Sequence, residues 1–163
     1  MSDGQKTWTW VDKSAWHRGP WDSEPDKAQW NDERTGLTCI AVRHPRLGHW
    51  CGYVGVTPAH PLHGKEYEEI EAEVHGGLTF AGPCQEDNPE HGICHVPEPG
   101  QPESLWWFGF DCAHCSDLSP GLLALDNFFG LMFPGRMNDM YRDLDYVKEE
   151  VANLALCVSK VKA

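Results

Sequence analysis

The sequence has no uninterrupted apolar run near the roughly 18 residues that a membrane-spanning helix needs. Its opening, MSDGQKTW, has neither the basic cluster nor the apolar stretch of a secretory leader. Membrane association and export are therefore not expected, and a cytoplasmic setting is. Basic residues are scarce: 13 Lys and Arg face 25 Asp and Glu, for a net charge of −12. That balance opposes the counterion release that drives binding to phosphate backbones, so direct contact with nucleic acid is not expected either. A solvated acidic surface suits a small-molecule ligand, a divalent cation or a basic protein partner. No internal repeat is visible. Seven cysteines, at 39, 51, 84, 94, 112, 115 and 157, form an odd set that does not suit an extracellular disulfide framework. The thiols are expected to be reduced and mostly buried.

Aromatics are abundant, with eight Trp, six Phe and four Tyr in a chain that is 40% apolar. This excludes general disorder, although 16 Gly and 12 Pro promise many turns. A length of 163 residues suits one domain with one core. Residues 1–26 carry Trp8, Trp10, Trp16 and Trp21 among Gly19, Pro20 and Pro25 without a period, and read as an irregular arm pinned by its tryptophans. From Lys27 to the C-terminus the chain reads as a single α+β domain.

KAQWND, LTCIAVR and HWCGYVGV alternate with period two around turn-rich spacers, which predicts a three-stranded meander. Alternation of Ile70, Ala72, Val74, Gly76, Leu78 and Phe80 predicts a further strand, with Glu71, Glu73, His75 and Thr79 on its other face. Residues 82–104 form a long connection. LWWFGFDC then predicts a strand with Trp107, Gly109 and Asp111 on one side. GLLALDNFFGLMF reads as a short apolar helix or turn stopped by Pro134-Gly135. The stripe Leu144, Val147, Val151, Leu154, Val158 and Val161 predicts a C-terminal helix, with Asn138 or Asp139 as its N-cap. Together these give a mainly antiparallel sheet of about five strands with the C-terminal helix packed on one face.

Chemistry concentrates in WWFGFDCAHCSDL, residues 106–118, where a strand ends in several potential ligands. Asp111, His114 and Asp117, joined by His75, could form a zinc or other divalent-metal site with an open position for water. Without metal, the same set supports a histidine general base oriented by an aspartate. A structural zinc held by Cys84, Cys94, Cys112 and Cys115 is an alternative. A third reading makes these residues turn caps and core fillers. Outside this cluster, His60, His63 and Lys65 in PAHPLHGK are candidates for an anionic ligand, Arg142 for a phosphate or carboxylate, and Trp107 for stacking.

GPW, EPDKAQW, LTCIAVR, CGYVGV, HPLHGKEY, VHGGLTF, ICHVPEPG, WWFGFDCAH followed by Asp117, and YRDLDYVKEE stand in this order over about residues 18–155. Together they resemble an uncharacterised family of small proteins of phages, prophages and diverse bacteria. The resemblance implies a mobile-element accessory protein in the bacterial cytoplasm and assigns no catalytic residue. Cys115 departs from the pattern, in which small residues follow GFDCAH, and this disfavours the four-thiolate zinc. Two functional expectations follow. One is a small metal-dependent hydrolase using His75, Asp111, His114 and Asp117. The other is a non-catalytic accessory that sequesters a nucleotide-like signal or blocks a host defence protein.

Overall fold

The computed structural model describes residues 5–84, 92–114, 116–128 and 139–161. Its core is one antiparallel sheet built from β1 (Lys6–Trp8), β2 (Lys27–Asn31), β3 (Thr38–Arg43), β4 (Trp50–Val56), β5 (Phe80–Pro83) and β6 (Trp106–Asp111), in the order β1-β2-β3-β4-β6-β5. Two helices follow, α1 (Pro120–Phe128) and α2 (Leu144–Ser159). Among the described residues, no helix is long and apolar enough to cross a membrane.

Alternation decides which side chains meet which layer. On one face, Ala28, Cys39, Ala41, Trp50, Val54, Val56, Phe108 and Phe110 pack against the stripe Leu144, Val147, Val151, Leu154 and Val158 of α2. Gly52 faces this helix, and a Cβ there would collide with Val151 and Phe110, so the glycine permits the close approach. On the other face, Ile40, Tyr53 and Trp107 form a second cluster covered by Leu105 and Ile93. That cover is irregular chain rather than a helix. It is tied down by Gln29, whose amide donates to the Val96 carbonyl and accepts from the Val96 N–H, each at 2.8 Å. Lys27 adds bonds from Nζ to the Gly92 and Cys94 carbonyls at 2.7 and 2.6 Å.

The meander, the 105–112 strand and both helices stand where the sequence puts them, but several expectations change. The N-terminal arm is not wholly irregular, because β1 pairs with β2 and raises the strand number to six. Residues 70–79 are not a strand: the chain turns at His75-Gly76, and the ladder begins only at Phe80. Gly76 and Gly77, with φ of 68° and 80°, end any extended run there. The N-cap of α2 is Asp143, whose carboxylate accepts from the Tyr146 N–H at 2.8 Å, rather than Asp139. Cys84 and Cys94 are joined in a disulfide with Cα atoms 4.7 Å apart, correcting the expectation of reduced thiols and withdrawing two ligands from a four-thiolate zinc. Cys115, Asn138 and the Pro134-Gly135 stop lie outside the described residues.

Candidate functional site

The polar end of β6 is shaped by a short turn. Asp111 Oδ1 accepts from the Ala113 N–H at 3.0 Å, and the Asp117 N–H donates to the His114 carbonyl at 3.0 Å. Ser116 takes φ of 77°, a left-handed conformation that costs a non-glycine residue on the order of 1 kcal/mol. Beyond it, a two-bond stitch holds Met140 to this turn: Met140 N–H to Ser116 O at 2.8 Å and Leu118 N–H to Met140 O at 2.9 Å. The stitch delivers Arg142 and the first turn of α2 beside Asp117. From the other side, the 75–77 turn brings His75 in, and a Cβ on Gly76 would overlap the His114 ring.

Asp117 is the hub. Its side chain is 1% exposed, and its Oδ2 accepts from the His114 N–H at 3.0 Å and meets His75 Nε2 at 2.7 Å. Its Oδ1 accepts from Arg142 Nε at 3.0 Å. Burial works against the charge of this carboxyl, but the bonds from His75, Arg142 and the His114 amide outweigh it and hold its pKa below the ordinary range. A charged Asp117 can only accept, so His75 Nε2 carries the shared proton. In the neutral ring the lone pair then lies on Nδ1, 2.7 Å from the Tyr146 hydroxyl, which donates to it. A weaker contact of 3.4 Å links the same hydroxyl to Glu150. The guanidinium of Arg142 lies 4.9 Å from the Tyr146 ring centre, a cation–π contact. Burial and the Glu150 charge raise the Tyr146 pKa, so its proton is present at rest.

The four residues expected at one site divide into two pairs. Asp117 and His75 bond directly. Asp111 and His114 form the second pair, Oδ1 to Nε2 at 3.4 Å, with Thr79 Oγ1 donating to Asp111 Oδ2 at 3.1 Å. Asp111 leaves β6 on the side of Trp107, away from α2, whereas His75 bonds to Tyr146 on α2. His75 and Asp111, grouped in one set by the sequence, thus share no direct bond among the described contacts. His114 stands between the pairs, its ring centre 5.8 Å from that of His75. Its Nε2 is buried without a hydrogen bond among the described residues.

The remaining candidates do not join this cluster. His60 Nδ1 accepts from the Leu62 N–H within its own loop, His63 packs edge-on against Trp106 with centres 5.9 Å apart, and the Lys65 carbonyl accepts from Trp106 Nε1. Trp107 is wholly buried in the second core and offers no stacking surface. Arg142 is at the site, where it pairs with Asp117 and lies over the Tyr146 ring. Sequence reasoning missed Tyr146. Its only signal was position: it interrupts no apolar stripe and stands four residues after Arg142, a helical neighbour spacing that extends onto the preceding turn.

The arrangement can move a proton. Asp117 fixes the tautomer and stabilises an imidazolium, His75 Nδ1 receives the Tyr146 proton, and the phenolate oxygen so formed takes another from an attacking group. A metal fits poorly, since both nitrogens of His75 and both oxygens of Asp117 are engaged. Among the described residues, no three His, Cys, Asp or Glu side chains are grouped to hold an ion. No protein-family model, curated protein or solved structure matches this chain.

Proposed function

We propose that the protein is a small hydrolase working by acid–base catalysis through Asp117, His75 and Tyr146. The observation that carries this reading is the clamping of His75, with 2.7 Å contacts at both ring nitrogens, between a buried anchored carboxylate and a phenol. Such an imidazole is held in one orientation and one tautomer, which is costly to arrange and useful for directed proton transfer. In this mechanism a water attacks an ester or phosphoester carbon or phosphorus. Its proton passes to Tyr146 Oη as the tyrosine's own proton moves to His75 Nδ1. The imidazolium beside Asp117 then returns the proton by the same route to the departing oxygen. Arg142 spends Nε on Asp117 and directs Nη1 to Met140 Sδ at 3.2 Å. Its Nη2 is left for negative charge that develops on the substrate, so an electrophile flanked by an anionic group fits best.

The metal-dependent form expected from the residue types is not retained, because the clamp occupies the atoms a metal would need. Hydrolysis of a panel of aryl esters and aryl phosphates by the intact protein tests the proposal. Turnover should survive EDTA and fall at least a hundredfold in His75→Gln and in Tyr146→Phe, with both variants folded. Full activity in both would end it, and loss of wild-type activity in EDTA, restored by zinc or manganese, would replace it with the metal form.

A further inference from the structure

The N-terminal arm holds a cleft of about 420 Å³ lined by Lys13, Ser14, Trp16, Arg18 and Asp22, none of which belongs to the Asp117 cluster. Its volume lies within the roughly 300–1,000 Å³ of small-molecule sites. We propose that this cleft binds a mononucleotide, with the base stacked on Trp16 and the phosphate held by Arg18 and Lys13.

The cleft is built before any ligand arrives. Asp26, wholly buried, accepts from the Trp10 and Val11 N–H groups at 2.8 Å each and pairs with Lys13 Nζ at 2.5 Å. The Trp16 N–H closes a turn on the Lys13 carbonyl at 3.0 Å, and Trp21 Nε1 donates to the His17 carbonyl at 2.8 Å. Asp22 Oδ2 accepts from the Gly19 N–H at 3.1 Å. The outer edge of the Trp16 ring rests on Gly48, where a Cβ would collide with it. An arm anchored at this many points loses little freedom when a ligand docks.

The lining chemistry selects the ligand class. Arg18 is exposed and makes no ion pair among the described residues, and the Lys13 ammonium gives one of its three protons to Asp26, leaving two. With Lys13 offset by Asp26, Arg18 is the cation of the lining that has no carboxylate partner among the described residues, in a chain whose net charge is −12. Arginine forks match phosphate oxygens, and an indole face stacks on any base. Asp22 Oδ1 supplies an acceptor for a base amino group, and Ser14 a hydroxyl for the ribose. Inorganic phosphate would leave Trp16 unused, and a neutral nucleoside would leave Arg18 unused.

Calorimetric titration of the full chain at low ionic strength with AMP, adenosine and inorganic phosphate tests the assignment. One AMP per chain should bind, adenosine and phosphate at least tenfold more weakly, with AMP affinity falling as salt is raised. Arg18→Glu, a surface change that should leave the melting temperature unchanged, should weaken AMP at least tenfold. Trp16→Leu should reduce AMP to the affinity of phosphate, and His75→Gln should bind AMP like the wild type, which separates this site from the hydrolase proposal. No saturable AMP binding up to millimolar concentration, equal binding of AMP and phosphate, or an unchanged affinity in a folded Arg18→Glu protein would overturn it.

Discussion

Around Arg43, charge is sealed in; around Asp117, it is left ajar. Arg43 is wholly buried and donates from Nε to Asp26 at 2.9 Å, from Nη1 to the Gly48 carbonyl at 2.7 Å and Tyr141 Oη at 2.9 Å, and from Nη2 to Glu24 at 3.1 Å. Its guanidinium stacks 4.5 Å from the Trp50 ring centre, while Tyr141 donates to Glu24 and Glu24 accepts the Leu144 N–H at the start of α2. Every partner in that network is another part of the fold, so it joins arm, sheet and helix. The Asp117 network also meets the first turn of α2, yet His75 is 13% and Arg142 23% exposed on their side chains. Similar chemistry thus serves two ends: where both charges of the Arg43–Asp26 pair are wholly buried the cluster holds elements together, and where Arg142 reaches the surface it can act on something outside.

If that contrast is right, the largest loss of stability comes from the sealed network. Arg43→Ala should cost about 3–5 kcal/mol in urea unfolding, because it removes a wholly buried guanidinium and with it one partner each of Asp26 and Glu24. A cost under 1 kcal/mol would remove its role as the joint. Acid should be the next most damaging perturbation. Burial first, then His44, push the His49 pKa down to about 4, with Arg43 adding to this and Asp111 and Asp117 opposing it. The folded pKa lies below the unfolded value near 6.5, so stability is full above that pH and is lost as pH falls toward 4. The loss is roughly 2–3 kcal/mol. His49→Gln should flatten this part of the stability profile, and parallel profiles for variant and wild type would refute the assignment.

Smaller effects are expected at the open network. Asp117→Asn should cost about 1–2 kcal/mol, since Arg142 can turn to solvent when its partner loses charge. It should also shift the pH dependence of any turnover, because an amide no longer stabilises the His75 imidazolium. Least costly of all, Tyr146→Phe should change stability by less than about 1 kcal/mol while removing turnover. A Tyr146→Phe protein that melts several degrees lower and keeps full activity would make the open network structural after all.

The strands KAQWN, TCIAVR and WCGYVGV were legible because their buried residues alternate, and α2 because its apolar residues recur by threes and fours. The same rule misread residues 70–79 for an instructive reason. Ile70, Ala72, Val74 and Leu78 do pack against the helix-facing core, but their backbone is not laddered to a neighbouring strand. Apolar period reports burial, and burial can be had without a ladder. β1 escaped notice because three residues are too few to display any period. At the site, Asp117 and His75 stood out as residue types able to carry chemistry, and Arg142 as an isolated cation in an acidic chain, while nothing local marked Tyr146.

The amino-acid sequence by itself determined the elements whose signal is short-ranged: the alternating strands, the striped helix, the turns at glycine and proline, and the concentration of acid and imidazole groups after β6. Only the tertiary structure decided which of those groups meet. His75 and Tyr146 are 71 residues apart, Asp117 and Arg142 are 25 apart, and Glu24 and Leu144 are 120 apart. Each pairing depends on how the turn after Val74 and the Met140 stitch lie against the end of the sheet. Periodicity along the chain specifies which face is buried. Contacts across such separations depend on the packing of whole elements, and so does the division of the four expected residues into two pairs.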